Sequence, residues 1–166
     1  GAKMLISHIG QNDKIFIQVD ADCDGYTSAA ILINYLNCLF PHFVQTNISY
    51  RVHDGKQHGL LVETIPDDVK LVIAPDSASS DYEQHEELAQ RGIDILILDH
   101  HEAPMVSQYA CVINNQMCEY PTKALNIEES DYHRSLNDCF VIHKLLVELQ
   151  EKTAEENDES TACREQ

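Results

Sequence analysis

Tryptophan is absent from this chain, and positive charge is scarce: 11 lysines and arginines face 28 aspartates and glutamates, for a formal charge of −17. With no basic stripe to grip duplex phosphates, a sequence-specific DNA reader is excluded. Excess acid is ordinarily a solvated surface. The carboxylates of interest are those clustered where a divalent cation would offset their repulsion. The six cysteines (Cys23, Cys38, Cys111, Cys118, Cys139 and Cys163) form no CxxC pair. That spacing excludes a zinc knuckle and suggests no disulfide framework. With no signal peptide in view, they are expected to be reduced thiols of a cytoplasmic protein. No apolar run approaches the length of a membrane span, so no membrane partner is expected. Residues 1–3 suggest no role.

What is present is a chain of 166 residues, 43% of them hydrophobic, enough for one domain with a substantial core. "KIFIQVD" (14–20) reads as a buried strand ending in an acid, and "YTSAAILINYLNCLF" (26–40) as a helix stopped by Pro41. "VQTNISYRV" (44–52) is rich in β-formers and predicts a strand, followed by a loop "HDGKQHGL" (53–60). "LVIAPD" (71–76) predicts another strand, and "SDYEQHEELAQRG" (80–92) a helix with a Ser/Asp start and a Gly stop. "IDILILDHH" (93–101) and "ACVINN" (110–115) predict two more strands, and "DCFVIHKLLVELQ" (138–150) an amphipathic helix. Continuously apolar strands alternating with helices predict an α/β fold, a mostly parallel sheet with helices on both faces. The domain is expected to span 1–150. Residues 151–166 hold six acids against two bases and almost no large apolar groups, which predicts a disordered acidic tail.

Three predicted strands end in acids: Asp20 opening "DADCDG" (20–25), Asp76 in "APDS", and Asp99 in "LDHH" (98–101). A parallel sheet delivers its strand C-termini to one edge, where open α/β folds bind ligands. Asp20, Asp22 and Asp24 alternate along the chain, and Asp76, His100 and His101 arrive from neighbouring strands. So many carboxylates and imidazoles in one crevice call for a cation. "DADCDG" is half of a calcium loop, but the glutamate that would close it is replaced by Ile31. Oxygen ligands with an imidazole suit manganese or magnesium better than zinc. A carboxylate bridging two ions about 3.5–4 Å apart is a standard device for hydrolysing phosphoesters. Gly25 allows a tight turn into a helix whose N-terminus favours phosphate.

"VDADCDGYTSAA", "IAPDSASSDYEQH", "LDHHEA" and "INNQMCEYP" resemble, in this order, the motifs of the DHH phosphoesterase family, above all its RecJ-like single-strand exonucleases in their short phage form. The likeness runs from about residue 14 to 121 and resumes over "SLNDCFVIHKLL" (135–146). It implies a domain binding two manganese ions. Asp22 and Asp76 would hold the first, with Asp20 beside them. Asp24, Asp76 and His100 would hold the second, with Asp76 as the bridge. His101 would act at the scissile phosphate, and Asp99 would orient the imidazoles. "RVHDGKQHGL" is similar to a family loop whose Gly-Leu end approaches the site, which makes His58 a candidate phosphate contact.

The chain departs from the family pattern in three places. "NIEESDYHR" (126–134) intervenes before the turn that starts the last helix, and Asp138 in that helix's first turn would repel phosphate. The family's further metal-ligating aspartate has no counterpart in a strand after Gln150, so Asp131 or Asp138 would have to replace it. The family's clamping second domain is not found in these 166 residues, which are then a fragment or a reduced relative, with a partner as one source of the clamp. The resemblance implies a phosphodiesterase that releases mononucleotides from single-stranded DNA or short oligonucleotides. A small phosphate ester as substrate, and a degenerate scaffold or nucleotide-binding domain, stay open as other readings.

Overall fold

A computed structural model describes residues 1–55 and 57–117. The expected helix over 138–150, the insertion near 126–134, the tail over 151–166, and Asp131 and Asp138 lie outside the described residues.

Among the described residues, five short strands form one parallel sheet: β1 (Ile15–Val19), β2 (Ile48–Val52), β3 (Leu71–Pro75), β4 (Asp94–Asp99) and β5 (Cys111–Asn114). Their spatial order is β2-β1-β3-β4-β5. The helices are α1 (Ala2–Gly10), α2 (Cys23–Leu39), α3 (Pro41–Asn47) and α4 (Tyr82–Gln90). Alternate strand residues go to opposite faces, as the pleat demands. Ile15, Ile17, Ile73, Leu96 and Leu98 pack with Leu5 of α1, Leu32 and Leu36 of α2 and Phe43 of α3. Phe16, Val72, Ala74, Ile95 and Ile97 face the other way, onto Leu88 of α4 and Leu60, Val62 and Ile65. Both faces are therefore covered, which is why the strand runs are continuously apolar.

Two elements differ from the sequence reading. Residues 44–47 belong to α3, and only 48–52 form a strand. Pro41 occupies the first turn of α3, where its fixed φ favours helix and its missing N–H costs nothing. Pairing with β1 begins only at Ile15↔Ile48, and the Asn47 side chain donates to the Asn12 carbonyl at 2.7 Å, ending the helix there. The N-terminal residues, given no role above, form α1. Its Ala2 and Leu5 are buried, and His8 docks it, with Nδ1 2.8 Å from Asp13 Oδ2 and Nε2 3.0 Å from Asp94 Oδ2.

β1, β3 and β4 are neighbours, so the residues that follow them meet at one edge. The strand order reverses between β1 and β3, the position where doubly wound sheets open a crevice. Among the described residues, no helix is long and apolar enough to cross a membrane.

Candidate metal centre

Asp20, directly after β1, is buried at 3% exposure. Its Oδ1 accepts from the Ala21 amide at 3.0 Å. Asp22 is the N-cap of α2 and accepts from the Gly25 amide at 2.8 Å, so that amide is already engaged inside the helix. Gly25 sits within α2 rather than at a tight turn. It is required by closeness, since a Cβ there would lie 2.6 Å from the Asp20 carbonyl oxygen and 2.7 Å from Asp20 Cβ. A small residue therefore lets α2 start against the end of β1, aiming the helix at the crevice.

Asp76 follows β3 with φ of +69°, and Ala78 with φ of +78°. Both lie in the left-handed region, which an alanine occupies only when its surroundings impose it. The Asp76 amide still donates to the Leu98 carbonyl at 2.7 Å, so the chain leaves the sheet at this residue while its side chain stays buried. His100 Nε2 stands 3.1 Å from Asp76 Oδ1.

Asp99, the last residue of β4, organises the turn beyond it. Its Oδ1 accepts from the His100 amide at 2.7 Å, the His101 amide at 3.1 Å and His101 Nδ1 at 2.7 Å. Its Oδ2 accepts from the Ser79 amide at 3.0 Å. Burial opposes ionisation of Asp99, but the bonds from the His101 ring and from Ser79 outweigh it and hold the carboxyl well below the usual carboxylate range. Asn114 at the end of β5 ties the two turns together, donating to Ser79 Oγ at 2.9 Å and to the His101 carbonyl at 2.8 Å.

Among the described residues, two groups with metal-ligating atoms within 4.8 Å of one another result: Asp20, Asp22 and Asp76, and Asp76, Asp99, His100 and His101. Asp76 is common to both. Asp24, which the resemblance implied as a ligand of the second ion, is outside both groups. The alternation Asp20–Asp22–Asp24 presumes strand geometry, but α2 begins at Cys23, and two residues along a helix turn the side chain by roughly 200°. Carboxylate oxygens with imidazole nitrogens fit a hard divalent cation such as manganese or magnesium. Beside these groups lies a cavity of about 480 Å³ lined by Asp20, Asp22, His58, Asp81, Asp99 and His101. His101 is half-exposed, whereas His100 is buried.

The sequence reading missed His53. Its ring is fully buried, with Nδ1 2.9 Å from Asp20 Oδ1, and Nε2 donates to the Gly59 carbonyl at 2.8 Å. The signal was available: β2 ends one residue before an imidazole just as β1 and β3 end one residue before an acid, and the register Val19↔Val52 sets His53 beside Asp20. His58 also reaches Asp20, with Nδ1 3.1 Å from Oδ1 and 3.3 Å from Oδ2.

Fold and site together define a parallel α/β domain whose sheet edge gathers carboxylates and imidazoles, donors of the kind that suit divalent cations. The chain belongs to the DHH family, whose N-terminal domain model matches residues 14–162. It is 50% identical over 125 residues to YorK of Bacillus subtilis strain 168, which carries the name of an SPbeta prophage-derived single-strand DNA-specific exonuclease; the match covers 75% of this chain and 21% of that protein. It is 29% identical over 103 residues to the single-stranded-DNA-specific exonuclease RecJ of Thermus thermophilus, covering 60% of this chain and 15% of that one. The crystal structure of RecJ in complex with Mn2+ from Thermus thermophilus superposes with a TM-score of 0.66 at 19% identity, over 92% of this chain and 20% of that one. The chain thus spans about a fifth of the length of these curated relatives.

Proposed function

We propose that this chain is the metal-binding domain of a manganese-dependent phosphodiesterase that cuts single-stranded DNA or short oligonucleotides to mononucleotides. The observation that carries this reading is the sharing of Asp76 between two ligand groups at one sheet edge. Asp20, Asp22 and Asp76 would hold one ion, and Asp76 with His100 the other, magnesium being the alternative cation. Such ions supply a hydroxide nucleophile and neutralise charge on the phosphoryl oxygens. The chain's own residues do the rest. Asp99 fixes the His101 ring through Nδ1, leaving its far side toward the cavity and the scissile phosphate. His58 at the cavity rim is a further contact for the substrate. The small residue at Gly25 holds Asp20 and Asp22 at the crevice.

The names of the relatives support single-stranded DNA as substrate, and the manganese in the RecJ crystal structure supports the choice of metal. The free thiols among the described residues, Cys23, Cys38 and Cys111, suit the reducing cytoplasm. A charge of −17 and the absence of tryptophan favour small substrates, because strand binding draws on a positive groove and stacking aromatics. A small phosphate ester is therefore the second reading, and a clamp, from further residues of the same protein or from a partner, would favour action on long strands.

Manganese-soaked crystals examined by anomalous scattering test the site: two ions bridged by Asp76 are expected, and none at millimolar manganese would sink the catalytic reading. Initial rates on a two-nucleotide and a long single strand, at equal ends, test the substrate. The short one is expected to be cut faster, and processive digestion of the long strand by this chain alone would reveal a groove that the reading omits.

A further inference from the structure

Asp20 is contacted by two imidazoles held in different ways. His53 is buried on all sides, and its two ring nitrogens lie 2.9 Å from Asp20 Oδ1 and 2.8 Å from the Gly59 carbonyl oxygen. Its amide donates to the Val19 carbonyl at 3.0 Å, extending the β1–β2 ladder by one rung. This ring has nowhere to turn without breaking a buried contact. His58 straddles both carboxylate oxygens at 3.1 and 3.3 Å, yet its side chain is 72% exposed, so it can rotate away at little cost in packing.

The backbone next to His58 is pinned. The Leu60 amide donates to Asp81 Oδ2 at 2.7 Å, and Gly59 has φ of +72° with the Asp81 carboxylate standing where a Cβ would go. Any change at His58 is therefore a change of its side chain.

A carboxylate offers about four lone-pair directions. The Ala21 amide and His53 both address Oδ1, whereas His58 also reaches Oδ2. Asp22 and Asp76 bring their oxygens within 4.8 Å of this same carboxylate. Oδ2 is the less engaged oxygen, reached by His58 but not by His53, so a cation that joined these three acids through it would meet His58 and not His53.

We infer that the two histidines act on Asp20 in opposite senses. His53 is a positioning residue that holds Asp20 ready for the cation, and His58 is a competitor that the cation displaces, turning the ring into the cavity it shares with Asp22 and His101. The inference rests on the metal reading above and goes beyond it by giving the two imidazoles contrary effects on metal affinity.

Calorimetric titration of the full chain with manganese alone tests this. His53→Ala is expected to weaken manganese binding about 10- to 100-fold, the usual effect of losing a residue that orients a ligand. His53→Gln, which keeps a donor, should recover part of the loss. His58→Ala is expected to tighten binding severalfold. Weaker binding by His58→Ala would make His58 a ligand and overturn the inference, as would unchanged affinity in His53→Gln and His53→Ala. Should the His53 variants fail to fold, a manganese-loaded crystal of the unaltered chain decides: His53 is expected on Asp20 with His58 turned away, and both rings still on Asp20 would refute it. An unaltered chain that binds no manganese would overturn the metal reading itself, and this inference with it.

Discussion

Replacing Asp76 with asparagine separates what this residue does for the fold from what it does for the metal. In the metal-free chain Asp76 is buried at 1% exposure, with the oxygens of Asp20 and Asp22 within 4.8 Å. At an effective dielectric near 20, each like charge at that distance repels by roughly 3 kcal/mol. Exposed Asp22 is screened by solvent, and the variant also weakens the 3.1 Å contact to His100, so a net gain of about 1 kcal/mol is expected. Asparagine tolerates the left-handed φ of +69° as well as aspartate does, so the backbone adds no penalty. With manganese at a hundred times its dissociation constant, the unaltered chain gains about 2.7 kcal/mol, while the variant gains almost nothing. For a domain of this size that is about 5–10 °C in Tm. Thermal melts of chelator-treated protein, with and without manganese, should therefore cross: the variant melts at or above the unaltered chain without metal, and below it with metal. Hydrolysis should vanish in the variant. An undiminished manganese-dependent rise in Tm, or hydrolysis at the original rate in metal-purified assays, would refute the bridging role.

Other outcomes follow from the same geometry. His100→Ala should weaken metal binding and recover in part with excess manganese, whereas His101→Ala should lower turnover with manganese affinity little changed; kcat measured against manganese concentration separates them, and swapped phenotypes would mean the roles are reversed. Gly25→Ala should destabilise the chain by about 1–3 kcal/mol in chemical denaturation, because its Cβ meets Asp20 backbone rather than a flexible side chain. Burial pulls His85 below its ordinary 6.5, against the pull of nearby Asp81. The unfolded chain then binds the extra proton more readily, so stability is full above pH 6.5 and falls as the pH drops below it, by at most about 1.4 kcal/mol per unit. Midpoints of urea unfolding from pH 7.5 to 5.5 should show this decline, and His85→Leu should flatten it. An equal decline in that variant would assign the effect to other groups.

Much of this protein was legible in the sequence alone because its signals are local. An apolar run of five or six residues closing on an acid is readable as a strand end. Three such runs alternating with helical periodicity require a parallel sheet whose C-terminal edge is acidic. The order of "DADCDG", "APDS" and "LDHH" carried the family resemblance without knowledge of which strands touch. The helix α1 escaped notice because its five apolar side chains lie in a stretch only nine residues long, with no side-chain cap to announce it. The helical start of "VQTN" was hidden by β-forming residues, whose preference gives way to the proline before them and the core contact of Phe43.

What only the tertiary structure decided are matters of adjacency and rotation. The strand order sets β1, β3 and β4 side by side, and nothing in the residues of one strand names its neighbour. Starting α2 at Cys23 exchanges a two-residue period for one of 3.6, which groups Asp22 with Asp20 and Asp76 and sets Asp24 outside that group. The register of β2 on β1 brings His53 to Asp20 across 33 residues of sequence. The left-handed backbone at Asp76 and Ala78 is imposed by the turn that buries the shared carboxylate, and no residue there advertises it. Sequence determines which chemical groups reach the sheet edge, since that depends on where each run ends. Which atoms meet there depends on strand order, register and the first turn of a helix, quantities that exist only once the whole sheet has closed its core.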